Sequence, residues 1–406
     1  SAEAAASVPL DRATSEGVAV SVFDALVGQD RVIEQLRGAI DAASTIVSGG
    51  EATGMTHAWL FTGPPGSGRS VAARAFGAAL QCPNGGCGAC HECHTALAGS
   101  HADIEIVTPT GLSSSVAETR TLVARSALAP VRGTWQVTIV EDADRFTEQA
   151  LNALLKALEE PPPRGVWLLC APSAADLLPT IRSRCRVMTL RVPPYDAVAA
   201  YLTSEGIEAS VAGFAARAAQ GHIGRARRLA IDHDAASRRR EVLTVPTQVA
   251  TVGGCFAAAA SLVDAAKAEA VAVSNSLDAE EKSALRESYG DTGERGMPKP
   301  RGVAGAISEL EKRQRSRSTR TQRDVLDRAL VDLAAFYRDV LVVQFGAAVD
   351  LVNADLETTL RQLAADSEPE TTLRRIQAVL AAREAIAANV APLLAVEAMA
   401  VALRSP

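Results

Sequence analysis

Apolar and polar positions follow two rhythms along this chain. Between residues 58 and 190, compact apolar runs at 58–62, 103–107, 137–140, 166–170 and 187–192 predict strands. Between them lie stretches with apolar residues three or four apart, which predict helices over 70–81, 116–129 and 148–158. The last is stopped by Pro161, Pro162 and Pro163. Upstream, residues 22–43 predict a short loop followed by a helix. Such alternation predicts an α/β domain, a parallel sheet with helices on both faces. After Pro194 the strand signal ends. Residues 195–229 predict a small helical bundle, and residues 241 onward predict Ala-rich helices. The Gly-, Pro- and charge-rich residues 288–305 predict a flexible loop, and the small, polar residues 1–20 a flexible tail. The expected organisation is therefore a tail over 1–20, the α/β domain over 21–191 with an insert at 82–93, a helical lid over 192–236, and an all-α domain over 237–406.

Composition narrows the function classes. The 406 residues are 48% hydrophobic and 22% charged, ordinary for a globular protein with a sizeable core. A net charge of −6 excludes a general polyanion binder, so any nucleic-acid contact needs a local basic patch. Only 5 of the 41 basic residues are lysines, a bias that bears on the loop below. The most apolar stretch, residues 385–403, is broken by Asn389, Pro392 and Glu397, so no membrane span is expected. With no secretory signal at the start, the expected compartment is cytoplasmic and reducing, where disulfides are disfavoured.

The chemistry begins at Gly63-Pro64-Pro65-Gly66-Ser67-Gly68-Arg69-Ser70, which follows a strand and opens a helix. It matches the phosphate-binding loop G-x-x-x-x-G-K-[ST] except at one position. Glycines let backbone N–H groups turn onto phosphate oxygens, the helix adds its positive end, and Ser70 is placed to bind Mg²⁺. Arg69 stands where the loop has its lysine. It keeps the charge, but it is larger, planar and forked. One reading is lost nucleotide handling, and another is arginine drift with ATP/Mg²⁺ binding kept. At the end of the strand 137–140, ATPases of this kind carry Asp-Glu, the first for the metal shell and the second for the attacking water. Here the order is Glu141-Asp142, one methylene too long for the first role and one too short for the second. Together the two departures predict loss of hydrolysis.

Cys82, Cys87, Cys90 and Cys93 form C-x4-C-x2-C-x2-C with glycines between them. Four thiolates so close can surround Zn²⁺ tetrahedrally, and a site closed by four protein ligands is structural. It would stabilise an insert that has almost no core of its own. His91 and His94 are expected to face solvent, and Cys170, Cys185 and Cys255 to pack in the interior. Ser183-Arg184-Cys185 places an arginine at the end of the α/β domain. Physics alone favours a structural ion pair for any single arginine. The basic run Lys312, Arg313, Arg315, Arg317, Arg320 and Arg323 reads as a solvated helix face before it reads as a phosphate contact.

Taken in order, Val27-Gly28-Gln29, the loop 63–70, the four cysteines, the stretch Asn152-Ala153-Leu154-Leu155-Lys156-Ala157-Leu158-Glu159-Glu160-Pro161-Pro162 and Ser183-Arg184-Cys185 resemble the bacterial replicative clamp loader, an AAA+ pentamer. The resemblance is strong over residues 22–230 and weaker in the C-terminal helices, where residues 389–399 resemble the family's collar domain. The motor subunits, gamma/tau, carry the loop lysine, Asp-Glu and a lid sensor arginine. This chain has Arg69, Glu141-Asp142 and Gly224 at those places, with Arg225 one position late. That combination is similar to the delta prime kind, which keeps Ser-Arg-Cys. The resemblance implies a role for Arg184 as an arginine finger acting in trans on the ATP of an adjacent motor. It also implies a hetero-pentamer with gamma/tau and delta subunits, loading a sliding clamp onto primer-template DNA in the nucleoid-associated replisome.

Overall fold

The computed structural model describes residues 21–109, 116–288 and 303–404. The expected tail over 1–20 and the core of the expected loop, 289–302, lie outside these. The two ends of that loop are helical instead. One long helix runs to Ser288, where Ala284, Leu285, Arg286 and Glu287 are good helix formers, and the next begins at Val303.

The first unit, up to Arg227, contains β1 (Ala58–Thr62), β2 (Ile104–Val107), β3 (Gln136–Val140), β4 (Gly165–Ala171) and β5 (Arg186–Thr189). All neighbours pair in parallel, in the order β2-β3-β4-β1-β5. The near-continuous apolar composition of β1, β3 and β4 is what a sheet covered on both faces requires. Successive residues point to opposite faces. Trp59, Phe61, Val137, Ile139, Leu168 and Cys170 join a core with α1 (Asp30–Val47), α2 (Arg69–Gln81) and α3 (His91–Leu97). Leu60, Val140, Trp167 and Leu169 join a second core with α4 (Val116–Ser126), α5 (Glu148–Glu159) and α6 (Pro179–Arg182). The parallel sheet with helices on both faces is thus present as the sequence predicts. Helix α5 starts where Thr147 accepts the Ala150 N–H at 3.2 Å. It presents Leu151, Leu154 and Leu158 to the sheet and ends before the three prolines. Helices α7 (Tyr195–Ser204) and α8 (Ala209–Ala218) bury Val198, Leu202, Ala212 and Ala215.

In the second unit, from Arg228, every regular element among the described residues is a helix. After α9 (Ile223–Ile231), which crosses the boundary, come α10 (His233–Val242), α11 (Val245–Gln248), α12 (Val252–Ser288) and α13 (Val303–Gln344), then α14 (Glu357–Ala365), α15 (Pro369–Ala387) and α16 (Pro392–Arg404). Its core gathers Leu262, Leu330, Leu333, Phe336, Val340, Val379, Val396 and Met399. A buried polar chain stiffens it. Arg239 Nε donates to Asp332 at 3.1 Å, Arg239 Nη2 donates to Asn353, and Asn353 donates from its backbone and side chain to Asp339 at 2.7 and 2.9 Å.

Candidate functional site

The glycine loop lies between the C-terminal end of the central strand β1 and the N-terminus of α2. In open α/β sheets ligands bind at this end of the strands. Gly63, Gly66 and Gly68 have φ of +151°, +86° and +86°, a region other residues enter only with strain. Gly68 caps α2, and Arg69 and Ser70 are its first two residues. Arg69 does not extend as the loop lysine does. Its Nη1 donates back to the carbonyl of Gly63, so the guanidinium closes the loop on itself. A Cβ on Gly66 would sit 2.8–2.9 Å from Cβ, Cδ2 and Cγ of His222, so the imidazole lies directly over the loop. Nδ1 of His222 accepts the Arg225 N–H at 3.3 Å. Gly224 is exposed.

Gln29 explains the Val-Gly-Gln motif. Its Nε2 donates to the carbonyl of Arg191 at 2.6 Å and to that of Ser67 at 3.4 Å, and its Oε1 accepts the Arg191 N–H at 3.3 Å. One side chain therefore ties the loop to the chain leaving β5.

The acids after β3 are engaged by the protein. Glu141 is 8% exposed and receives Arg74 Nε at 3.0 Å and Nη2 at 2.9 Å on one oxygen. Its other oxygen receives the Thr108 hydroxyl at 2.8 Å. Asp142 adopts φ +50° and lies 3.7 Å from Arg145. Neither Arg74 nor Thr108 stands out in the sequence, because each lies more than thirty positions from Glu141. A third acid, Asp144, also escapes sequence reading. Burial raises its carboxyl pKa, and the charge of Asp142 adds to the rise.

The four cysteine sulfurs lie within 4.8 Å of one another. Cys82 Sγ is 3.7 Å from both Cys87 Sγ and Cys90 Sγ. A tetrahedral ZnS₄ centre with bonds of about 2.3 Å has S···S edges of about 3.8 Å. The donor set therefore fits the metal. Backbone N–H groups of Asn84 and Cys87 point at Cys82 Sγ, each at 3.4 Å, and that of Cys93 at Cys90 Sγ, also 3.4 Å, which favours thiolates. His91 and His94 are exposed. Cys170 and Cys255 are buried, and Cys185 is half-buried, with its thiol pushed up to about 12 by burial.

Arg184 lies away from the loop, just past the end of α6. Its Nη1 donates to the Thr180 carbonyl at 2.9 Å, and its Nη2 pairs with Glu159 at the end of α5. Three residues of the basic run on α13 meet partners within the protein. Arg317 donates to Glu281 and Asp278, and these hydrogen bonds, the one to Glu281 first, raise its pKa. Arg320 is buried beside Asp324, and Arg323 donates to Asn389. Lys312 and Arg315 are exposed. No described helix is long and apolar enough to cross a membrane.

Two family profiles match the chain. One, described as DNA polymerase III, delta subunit, matches residues 41–194. The other, described as DNA polymerase III, delta subunit, C terminal, matches residues 322–400. The chain is 34% identical over 177 residues to the DNA polymerase III subunit gamma/tau of Mycobacterium tuberculosis, covering 42% of this chain and 29% of that protein. It is 38% identical over 153 residues to the DNA polymerase III subunit delta' of Haemophilus influenzae, covering 37% of this chain and 47% of that protein. The chain thus spans less than half the length of these curated relatives. A solved DNA polymerase III gamma subunit-related protein from Thermotoga maritima aligns over 85% of this chain and 99% of its own, at 17% identity and a TM-score of 0.36.

Proposed function

Because the chain belongs to the DNA polymerase III clamp-loader family of delta prime and gamma/tau subunits, we propose that it is the delta prime-like member, a subunit that completes a neighbour's ATPase site without hydrolysing ATP itself. The observation that carries this reading is the engagement of Glu141 by Arg74 and Thr108. A carboxylate held by a guanidinium on one oxygen and a hydroxyl on the other has three of its about four acceptor sites engaged. Releasing it to a hydrated Mg²⁺ requires breaking a desolvated ion pair. Arg69, folded onto Gly63, and His222, over Gly66, point the same way.

In this reading Arg184 is the arginine finger. It supplies positive charge to the phosphoryl group transferring in an adjacent gamma/tau motor. Gamma/tau and delta complete the hetero-pentamer, and the sliding clamp and primed DNA are reached through it in the cytoplasm. The four cysteines hold a structural Zn²⁺. Purified alone, the chain is expected to show no DNA-stimulated ATPase, and robust turnover overturns the reading. Arg184→Ala is expected to cut the ATPase of the reconstituted complex with assembly intact, and an unchanged rate retires the finger.

The intact Gly63, Gly66, Gly68 and Ser70 frame, and the likeness to gamma/tau, favour a second reading as an active motor. It predicts turnover by the lone chain that Ser70→Ala abolishes.

A further inference from the structure

From the contact between the two most distinctive sequence stretches, we infer that Glu159 is a positioning residue for Arg184, holding the guanidinium in a preset direction until a neighbour's nucleotide replaces the carboxylate. This inference rests on the finger reading of Arg184. Glu159 is the last residue of α5, and Arg184 follows the last turn of α6. Both helices are anchored in one core, α5 through Leu154 and Leu158 and α6 through Ile181. Their ends are therefore rigid relative to each other.

An acid at a helix C-terminus is locally disfavoured, because the exposed carbonyls there already carry negative charge. Glu159 at this place needs a cation, and Arg184 Nη2 provides it. The second nitrogen, Nη1, donates to the Thr180 carbonyl at 2.9 Å, and it lies 3.5 Å from the Ser183 hydroxyl. Two acceptors in different helices fix both ends of the guanidinium fork, which removes rotamer freedom before any partner arrives. The pair is solvent-accessible, with Arg184 36% and Glu159 46% exposed. An exposed pair is weak, so a phosphate can displace the carboxylate with little loss. A buried pair would lock the arginine away.

The test uses the reconstituted complex with its motor subunits, comparing Glu159→Ala, Glu159→Gln, Arg184→Ala and the Glu159→Ala/Arg184→Ala double variant. Assembly is checked by gel filtration, and steady-state ATPase is resolved into kcat and KM. Glu159→Ala is expected to lower kcat by up to about fivefold, the range of an exposed ion pair, with KM for ATP unchanged. Glu159→Gln, which keeps the shape and an acceptor, should fall between wild type and Glu159→Ala. The deficit should shrink as salt screens the pair, and it should vanish in the Arg184→Ala background. A wild-type kcat for Glu159→Ala, or an undiminished deficit in the double variant, overturns the positioning role while leaving the finger. An unchanged rate for Arg184→Ala overturns the finger itself, and the positioning role with it.

Discussion

Arg74 and Glu141 meet across 67 positions of chain, with Nε and Nη2 at 3.0 and 2.9 Å from one carboxylate oxygen. Arg74 projects from α2, the helix that the glycine loop opens, and Glu141 directly follows β3. The helix that the glycine loop opens thereby pairs with the acid after β3. Either single change, Arg74→Ala or Glu141→Ala, is expected to lower stability by about 1–3 kcal/mol, because each strands a charged group in a poorly solvated place. Denaturant unfolding of both singles and the double should show a combined loss smaller than the sum. Strict additivity would remove the pair from the account.

Restoring the loop lysine should not restore an enzyme. Arg69→Lys removes the fork that closes on Gly63, yet Glu141 stays committed to Arg74. The variant is expected to gain nucleotide affinity in a fluorescent-ATP titration while its ATPase stays at background. Turnover in the single variant would show that Glu141 is readily released.

The cysteine cluster predicts metal content. Elemental analysis of the purified chain should give one zinc per chain, and a strong chelator should lower the melting temperature. Cys87→Ser and Cys90→Ser should do the same, because a small insert loses its metal-derived folding energy. A metal-free chain with wild-type melting refutes the structural role.

Gly66→Ala should be costly for two separable reasons, the left-handed backbone and the collision with His222. We expect a loss of about 1–3 kcal/mol. Adding His222→Gly, which removes Cβ as well as the ring, should recover the steric part and leave the backbone part, as read by thermal unfolding against His222→Gly alone.

Asp103 sets an acid limb. Burial alone would raise its carboxyl pKa, but N–H groups of Val131, Arg132 and Gly133 converge on the carboxylate and outweigh it, so the pKa is lowered. A folded-state pKa below the unfolded one contributes stability that is present above the unfolded pKa. That stability is lost as pH falls through the folded pKa. Asp103→Asn is therefore expected to melt lower at neutral pH and to lose less on acidification toward pH 3. Melting temperatures recorded across that range check it, and parallel curves for the two proteins would refute it.

Local sequence determined much of this molecule. The runs 58–62, 137–140 and 166–170 are strands because they are nearly all apolar over a short span, and they sit in the middle of the sheet. The loop 63–70 and the cysteines 82, 87, 90 and 93 were legible because their chemistry needs residues close in sequence. What escaped the sequence joins residues far apart. Nothing near Glu141 announces Arg74, nothing near Gly66 announces His222, and nothing in Glu159 names Arg184. The residues 288 and 303–305, expected to be loop, became helix ends. Periodicity fixes which face of an element is buried, but not which charged tip it meets on its neighbour. Only the parallel order β2-β3-β4-β1-β5, with helices on both faces, decided that the acids after β3 face α2 and that the ends of α5 and α6 converge.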